Sequence, residues 1–437
     1  LDNYQYYCQV RENAATCYTA SHAVRITSQS TTWVSPGTWD NGTPDINTIT
    51  VLDFNYNTTT NGSFSACRLI VNASHLLTIS NGTFVEVENN LTVNGNVLVE
   101  SDGSFVQNSD SALVDGAVTG DKTRITVEKE TAILNSPQEY TYWSSPVFGE
   151  TITDGLSESA VQRRFWFNGQ NFRDSTRETN NNNATVAGQD DIDDDANDWQ
   201  FANGASIMLP GVGYAATHDA LGFINPARYK YTFNGPFNNG IYNIPIYRND
   251  AETNDNNWNF IGNPYPSAIN ADLFLAANAS ISQSVGATNG ALFFWSHNTA
   301  ADGNTNGNEV LNYSQSDYAI INGTGETAGG DMVTPDRFIP SGQGFFVSMT
   351  DTAPSSVVSG SVRTTDVIIN NSMRVTGNNA QFFRTSNSLL PNKIKLNLTS
   401  DNGIFNQILV GYVNGATNGD DGMYYDAHKN LSSNANT

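Results

Sequence analysis

Arg68-Leu-Ile-Val-Asn-Ala-Ser-His-Leu-Leu-Thr-Ile-Ser-Asn-Gly-Thr-Phe-Val-Glu-Val-Glu-Asn-Asn-Leu-Thr-Val-Asn-Gly-Asn-Val-Leu-Val-Glu-Ser-Asp-Gly-Ser-Phe-Val106 is a run of very short apolar strands broken by turn formers. The strands read as 68–71, 76–79, 83–87, 91–93, 97–99 and 104–106. The breaks at Asn81-Gly82, Asn94-Gly95 and Asp102-Gly103 suit positive φ. Strands of three to five residues at this spacing fit either a meander of hairpins or the rungs of a solenoid stacked around an apolar axis. The regularity favours a short right-handed β-solenoid over about 48–118, and with its flanks we bound this region at 36–119.

The rest of the chain is read outward from this run. The 437 residues carry 20 basic against 43 acidic side chains, a net charge of −23. Nucleic acid and anionic membrane, which require clustered Lys and Arg, are therefore poor partners. Polarity comes mainly from Asn, Thr, Ser and Gly, which favour turns and strands, and aromatics reach 11%; the class indicated is all-β. No stretch approaches the roughly 18 apolar residues of a membrane helix, so a membrane-spanning chain is not expected. The Asn-rich, Lys-poor surface suggests export, with a targeting segment removed before Leu1 or the chain an internal fragment. Cys8 and Cys17 are close enough for a local disulfide in an exported protein, while Cys67 is left over.

Beyond Gly120 the strands lengthen and four landmarks recur in one order. Tyr140-Thr-Tyr-Trp-Ser-Ser-Pro146 matches Asn259-Phe-Ile-Gly-Asn-Pro264, and Arg164-Phe-Trp-Phe-Asn-Gly-Gln-Asn171 matches Leu292-Phe-Phe-Trp-Ser-His-Asn298. Pro210-Gly-Val-Gly213 matches Pro340-Ser-Gly-Gln-Gly344, and Tyr231-Thr-Phe-Asn-Gly235 matches Val357-Val-Ser-Gly360. The offsets are 118 (Pro146 to Pro264), 127 (Asn171 to Asn298), 131 (Gly211 to Gly342) and 125 (Gly235 to Gly360). Residues 120–255 and 256–385 thus read as two versions of one antiparallel unit; the pattern fits either two domains or a single two-sheet β-sandwich over 120–385, and the sandwich is the expectation. The Gly-x-Gly pairs precede strands, so they predict a bulge or close backbone approach, not a phosphate loop. Lys393–Thr399 and Asn406–Tyr412 begin a further β module over 386–437, a partial sandwich. Residues 1–35 read as a strand-rich lead-in or the end of a preceding module.

Five stretches together resemble a known family. Thr38-Trp-Asp-Asn-Gly-Thr-Pro44, Tyr142-Trp-Ser-Ser-Pro146, Phe260-Ile-Gly-Asn-Pro-Tyr-Pro-Ser267, Pro340-Ser-Gly-Gln-Gly-Phe-Phe346 and Phe405-Asn-Gln-Ile-Leu-Val-Gly411 are similar to large secreted and cell-surface proteins of the Bacteroidota, including gliding-motility adhesins. The resemblance covers about 32–437. It implies cargo of the type 9 secretion system, an extracellular or cell-surface location, the outer-membrane translocon and its associated outer-membrane proteins as partners, and a C-terminal sorting domain beyond Thr437. Asp110-Ser-Ala112 and Asp351-Thr-Ala353 resemble the short O-glycosylation signal of that phylum.

The residues offer few sites for chemistry. Asp190-Asp-Ile-Asp-Asp-Asp-Ala-Asn-Asp198 crowds carboxylates on one loop, and Asp191, Asp193, Asp195 and Asn197 alternate as hard oxygen ligands suited to Ca²⁺. A solvated acidic loop is the competing reading. Asp420 and Asp421 form a weaker second candidate. The five histidines, His22, His75, His218, His297 and His428, have no metal-type spacing. Trp143, Trp166, Trp258 and Trp295 lie in the repeated strands, where core packing competes with a sugar-stacking platform. The expected function is a non-catalytic secreted or cell-surface protein acting in adhesion or as a structural spacer. The alternative is a carbohydrate-binding accessory region of a secreted polysaccharide-degrading enzyme, with polysaccharide or surface glycans as its partners.

Overall fold

A computed structural model describes residues 5–10, 19–22, 24–25, 29–116, 123–172, 197–251, 257–281, 285–301, 313–380, 392–400 and 405–429. The opening strands are short antiparallel pairs, Gln5–Tyr6 with Val24–Arg25 and Gln9–Val10 with Thr19–Ala20.

The run that opened the reading forms a three-sided β-solenoid of about 4 turns. Thr48–Leu52, Arg68–Val71, Leu91–Val93 and Val114–Asp115 stack along one side. Tyr56–Asn57, Leu76–Ile79 and Asn96–Val99 form the second, and Phe64–Ala66, Phe84–Val87 and Ser104–Gln107 the third. All these pairs are parallel, which a meander of hairpins cannot produce. Leu77 lies beside Val97 and Val85 beside Phe105, 20 residues on, while Leu69 lies beside Leu91, 22 on, and Leu91 beside Val114, 23 on, so the length of a turn varies by a few residues. Alternate side chains point inward, and Leu69, Val71, Leu77, Ile79, Val85, Val87, Leu91, Val93 and Phe105 are all 0% exposed.

Two features of this region depart from or extend the sequence reading. Gly82 adopts the expected positive φ, +73°. Gly95 and Gly103 do not; a Cβ there would lie 2.3 Å from the His75 carbonyl oxygen and 2.5 Å from that of Ile79. Glycine is required at those corners because the next turn rests directly on the carbonyls of the one before. The second feature is the cap. Gln29–Ser35 adds in parallel to Thr48–Leu52 and folds back onto Thr38–Trp39. Trp33 then closes the apolar end, edge-on to Trp39 at 5.0 Å and Tyr56 at 4.8 Å. Asp40 Oδ1 accepts from the Thr32 amide at 2.6 Å, so Thr38–Pro44 is the lid of the solenoid.

In the duplicated part we number the strands of the first unit β1 (Ile125–Glu130), β2 (Tyr140–Trp143), β3 (Ser159–Phe167), β4 (Trp199–Phe201), β5 (Tyr214–His218) and β6 (Lys230–Asn234). The second has β7 (Tyr242–Asn249), β8 (Trp258–Gly262), β9 (Thr288–Trp295), β10 (Tyr318–Asn322), β11 (Gly344–Met349) and β12 (Val362–Ile369). The central sheets run β2-β5-β3-β4 and β8-β11-β9-β10, one order twice over, with Glu326–Thr327 adding a fifth strand beside β10 in the second. The outer strands pair as β1 with β6 and β7 with β12, both antiparallel. A helix follows the second strand of each unit, α1 (Ile152–Gly155) capped by Thr151 and α2 (Ala271–Asn278) capped by Asn270. One landmark match needs correction: Val357–Gly360 is not the counterpart of Tyr231–Gly235. By pairing, β6 corresponds to β12, and Ser356–Ser359 is an extra strand on the outer edge of β12.

The two central sheets pack face to face as a sandwich, and each turns its other face to its own outer pair and helix. Along β11, Phe345 and Val347 enter the second unit's core while Phe346 enters the seam between the sheets. The seam is aromatic, with Phe260 stacked on Phe346 at 4.7 Å and 10°, Tyr142 tilted 60° against Phe260 at 4.6 Å and Trp258 edge-on to Phe293 at 4.6 Å. Full burial of each such ring is worth roughly 1.5–3 kcal/mol.

The Gly-x-Gly pairs lie where the units meet and serve close approach, as expected. The Ser144 amide donates to Gly342 O at 2.7 Å, and the equivalent Gly262 amide donates to Gly211 O at 2.9 Å. This reciprocity is a pseudo-twofold junction. A Cβ on Gly213 would lie 2.5 Å from the Phe260 ring, and one on Gly262 would lie 2.5 Å from Ser144 Cβ.

The solenoid is joined to both units. β1 continues its second side in parallel with Asn96–Val99 and at the same time pairs with β6. Its third side docks on the second unit, where the Phe105 amide donates to Pro266 O at 3.0 Å. Buried Arg374 donates to Phe105 O, Asn239 Oδ1 and Ser267 Oγ, its guanidinium 4.7 Å over the Tyr265 ring. Buried Lys129 donates to Ser101 O and Asn379 O. The last strands, β13 (Lys393–Thr399) and β14 (Phe405–Gly411), form an antiparallel hairpin.

Candidate functional site

Of the expected calcium ligands, Asp191, Asp193 and Asp195 lie outside the described residues. Asn197 is half-buried, and its carbonyl accepts from Asn171 Nδ2 at 2.6 Å and Gln200 Nε2 at 2.7 Å, which ties the end of the acidic loop to the β3–β4 edge. In the second candidate the carboxylates bond locally: Asp421 accepts from the Thr417 hydroxyl at 2.8 Å, and Asp420 from the Gly422 amide at 2.9 Å. Among the described residues no three His, Cys, Asp or Glu side chains converge as a metal set. Cys17, and with it the Cys8–Cys17 pairing, also lies outside them; Cys67 is a half-buried free thiol.

The tryptophans pack inward. Trp143 is 0% and Trp295 9% exposed, and the partly buried Trp166 and Trp258 lie against the first core and the seam. The Asn259–Ile269 stretch is structural as well. Asn263 Nδ2 donates to the carbonyls of Ser267, Ile339 and Pro340, and Tyr265 is fully buried. Ser111 and Thr352, the hydroxyls of the two Asp-Ser/Thr-Ala sequences, are both exposed. Asp110 beside Ser111 is held by the Asn371 amide at 2.9 Å.

The strongest electrostatic site lies at one end of the aromatic seam, in residues the sequence did not single out as a group. His297 sits at a φ of +39°. Its Nδ1 accepts from the Tyr140 amide at 3.0 Å and Trp295 Nε1 at 3.2 Å, so the ring is neutral with its proton on Nε2. Burial pushes it down to about 3. Nearby Asp317, fully buried, accepts from the Asn298 and Thr299 amides at 2.8 and 2.7 Å and from the Thr299 hydroxyl at 2.8 Å. A Cβ on Gly330 would meet Asp317 Oδ1 at 1.9 Å, so only glycine fits there.

Burial also raises Asp317, against its hydrogen bonds and Lys429, and pushes Asp331 up to about 6. Lys429 donates to Ala328 O at 2.8 Å and Tyr318 O at 3.3 Å, and burial brings it down to about 8. The C-terminal strap that carries Lys429 is further held by Asn322 Nδ2 on Met423 O at 3.1 Å and Thr324 Oγ1 on Tyr425 O at 2.7 Å. The bonds of Asp317 and Lys429 run to neighbouring loops of the same chain. The arrangement therefore staples the 296–299 loop and the strap over the end of the seam. These residues are spread from 297 to 429, so no local spacing could have revealed them. The one sequence signal was Gly329-Gly330 before Asp331.

Among the described residues no helix is long and apolar enough to cross a membrane. No curated protein and no solved structure matches the chain. The family model of a domain of unknown function, DUF8693, matches residues 26–437, a span that takes in the solenoid, both units, the hairpin and the strap; the chain belongs to that family.

Proposed function

We propose that the protein is a non-catalytic secreted or cell-surface protein, cargo of a Bacteroidota type 9 secretion system, that acts as a rigid spacer presenting adhesive modules. The observation that supports the spacer reading most is continuity. One sheet passes from the solenoid through β1 into the first unit, and Arg374, Lys129 and the Phe105–Pro266 bond fasten the solenoid to the second. A body with its modules interlocked in this way transmits a load and keeps its ends at a fixed separation. The inward tryptophans favour this reading over a sugar-binding platform.

The export route is tested by antibody labelling of intact source cells. Surface signal lost, with the protein held in the periplasm, when the translocon is disabled supports it; unchanged surface signal overturns it. Calcium on Asp191, Asp193, Asp195 and Asn197 is tested by thermal shift. A rise in Tm with millimolar Ca²⁺, abolished in Asp193→Asn/Asp195→Asn, supports the site, and no shift removes it. A glycan array tests adhesion to polysaccharide or surface glycans, with binding expected under the adhesive reading.

A further inference from the structure

The hairpin β13–β14 turns a mainly polar face to the second unit, with Phe405 buried at its loop end. The face on the second unit carries Lys395, whose ammonium lies 3.6 Å from Glu326 Oε1, and Gln407, whose Oε1 accepts from the Ala328 amide at 3.0 Å. Gln407 Nε2 in turn holds Asn397 Oδ1 at 2.8 Å. The opposite face points outward and is aliphatic along two cross-strand pairs, Ile394 opposite Val410 and Leu396 opposite Ile408, with Leu398 opposite Asn406 at the loop end. These five side chains are 59%, 50%, 51%, 52% and 67% exposed. A two-stranded sheet is marginal unless a further layer covers its apolar face, and here the sequence places five large aliphatics on the uncovered side.

We propose that this face is a self-association surface whose occupant is the same face of a second copy of the chain, the two hairpins closing into a four-stranded sandwich across a twofold axis. The face carries no ionisable side chain, so two copies meet there without a local charge clash and pair residue for residue, as an isologous interface requires. Sheets pack in this way at about 10 Å. Ten aliphatic side chains, each at least half exposed before association, bury on the order of 1,000 Å² in total. That is the lower limit of a specific interface and the range of weak, reversible dimers. The net charge of −23 on each chain opposes association at long range, so screening by salt strengthens the dimer. A dimer held by ion pairs would show the reverse.

The test is sedimentation of the full chain from 5 to 500 µM in low and high NaCl. The expected result is a reversible rise of the mass-average mass above 47.4 kDa towards twice that value, with a dissociation constant in the range of about 10–500 µM that falls severalfold on adding salt. Leu396→Thr/Ile408→Thr, which keeps strand propensity, shifts the dissociation constant at least tenfold weaker. Should that variant lose the hairpin, hydrogen exchange of 393–411 in the wild-type chain replaces it, with protection rising with protein concentration. A monomer at every concentration and salt overturns the proposal, as does a dimer that the double variant leaves unchanged or exchange that ignores concentration.

Discussion

His297 makes the end of the seam acid-labile, and the effect has a definite sign. In the fold its Nδ1 accepts two hydrogen bonds, and burial brings the ring down to about 3 from the ordinary 6.5. A protonated ring forfeits both acceptor bonds. A histidine depressed in the fold contributes stability that is fully present above pH 6.5 and is lost as pH falls towards 3, because only the unfolded chain takes up the proton. At 1.36 kcal/mol per pH unit, going from pH 6.5 to 4.5 costs at most about 2.7 kcal/mol. The ring keeps part of its surface in solvent, which relieves the penalty, so we take about 1–2 kcal/mol. The matching variant is His297→Asn, whose Oδ1 still accepts from the Tyr140 amide, which tolerates the positive φ, and which does not titrate. Urea unfolding at pH 6.5 and 4.5 should show the wild type losing about 1–2 kcal/mol more than the variant. Equal losses in the two proteins would refute the assignment of His297 as the neutral acceptor.

Asp331, raised to about 6 by burial, acts in the opposite direction: its charged form strains the fold above that pH, and the strain is relieved as pH falls through 6. Asp331→Asn keeps the acceptor for the Val333 amide and should raise stability at pH 7.5 by about 1–2 kcal/mol, read by urea midpoint, with no gain at pH 4. Gly213→Ala drives a methyl to 2.5 Å from the Phe260 ring and should cost about 1–3 kcal/mol, measured in the same way. Phe346→Ala removes the ring stacked on Phe260 and contacted by Phe167, Trp199 and Trp258; the expected loss is about 3–5 kcal/mol, with reduced near-ultraviolet dichroism from the seam.

Much of the architecture was legible because it is local. The solenoid strands read from sequence fall within a residue of the observed ones, since three- to five-residue apolar runs separated by Asn-Gly and Asp-Gly leave few other arrangements. The duplication was legible because Gly211 and Gly342, and Ser144 and Gly262, are constrained by one junction seen twice. What sequence did not give was pairing at a distance. Val357–Gly360 resembled Tyr231–Gly235 in composition, yet β12 is the partner of β7, and register is decided by tertiary contact. Gly95 and Gly103 looked like turn residues because a packed carbonyl leaves no mark on its own sequence neighbourhood. The staple at His297, Asp317, Asp331 and Lys429 was invisible for the same reason: its members lie on four separate segments and meet only after the sheets have packed. The outward aliphatic face of the hairpin was visible as clean alternation, but alternation cannot say which face is turned to the body.

A rigid spacer requires the solenoid and the two units to behave as one interlocked body, and native-state hydrogen exchange across a urea series tests this most directly. Amides of Leu77–Ile79 and Val97–Val99 in the solenoid, Tyr214–Ala216 in the first unit and Phe345–Val347 in the second should converge on a single opening free energy and lose protection at one midpoint. Separate midpoints for the solenoid and the second unit would mean that the Arg374 and Lys129 contacts do not couple them, and would contradict the rigid-spacer reading.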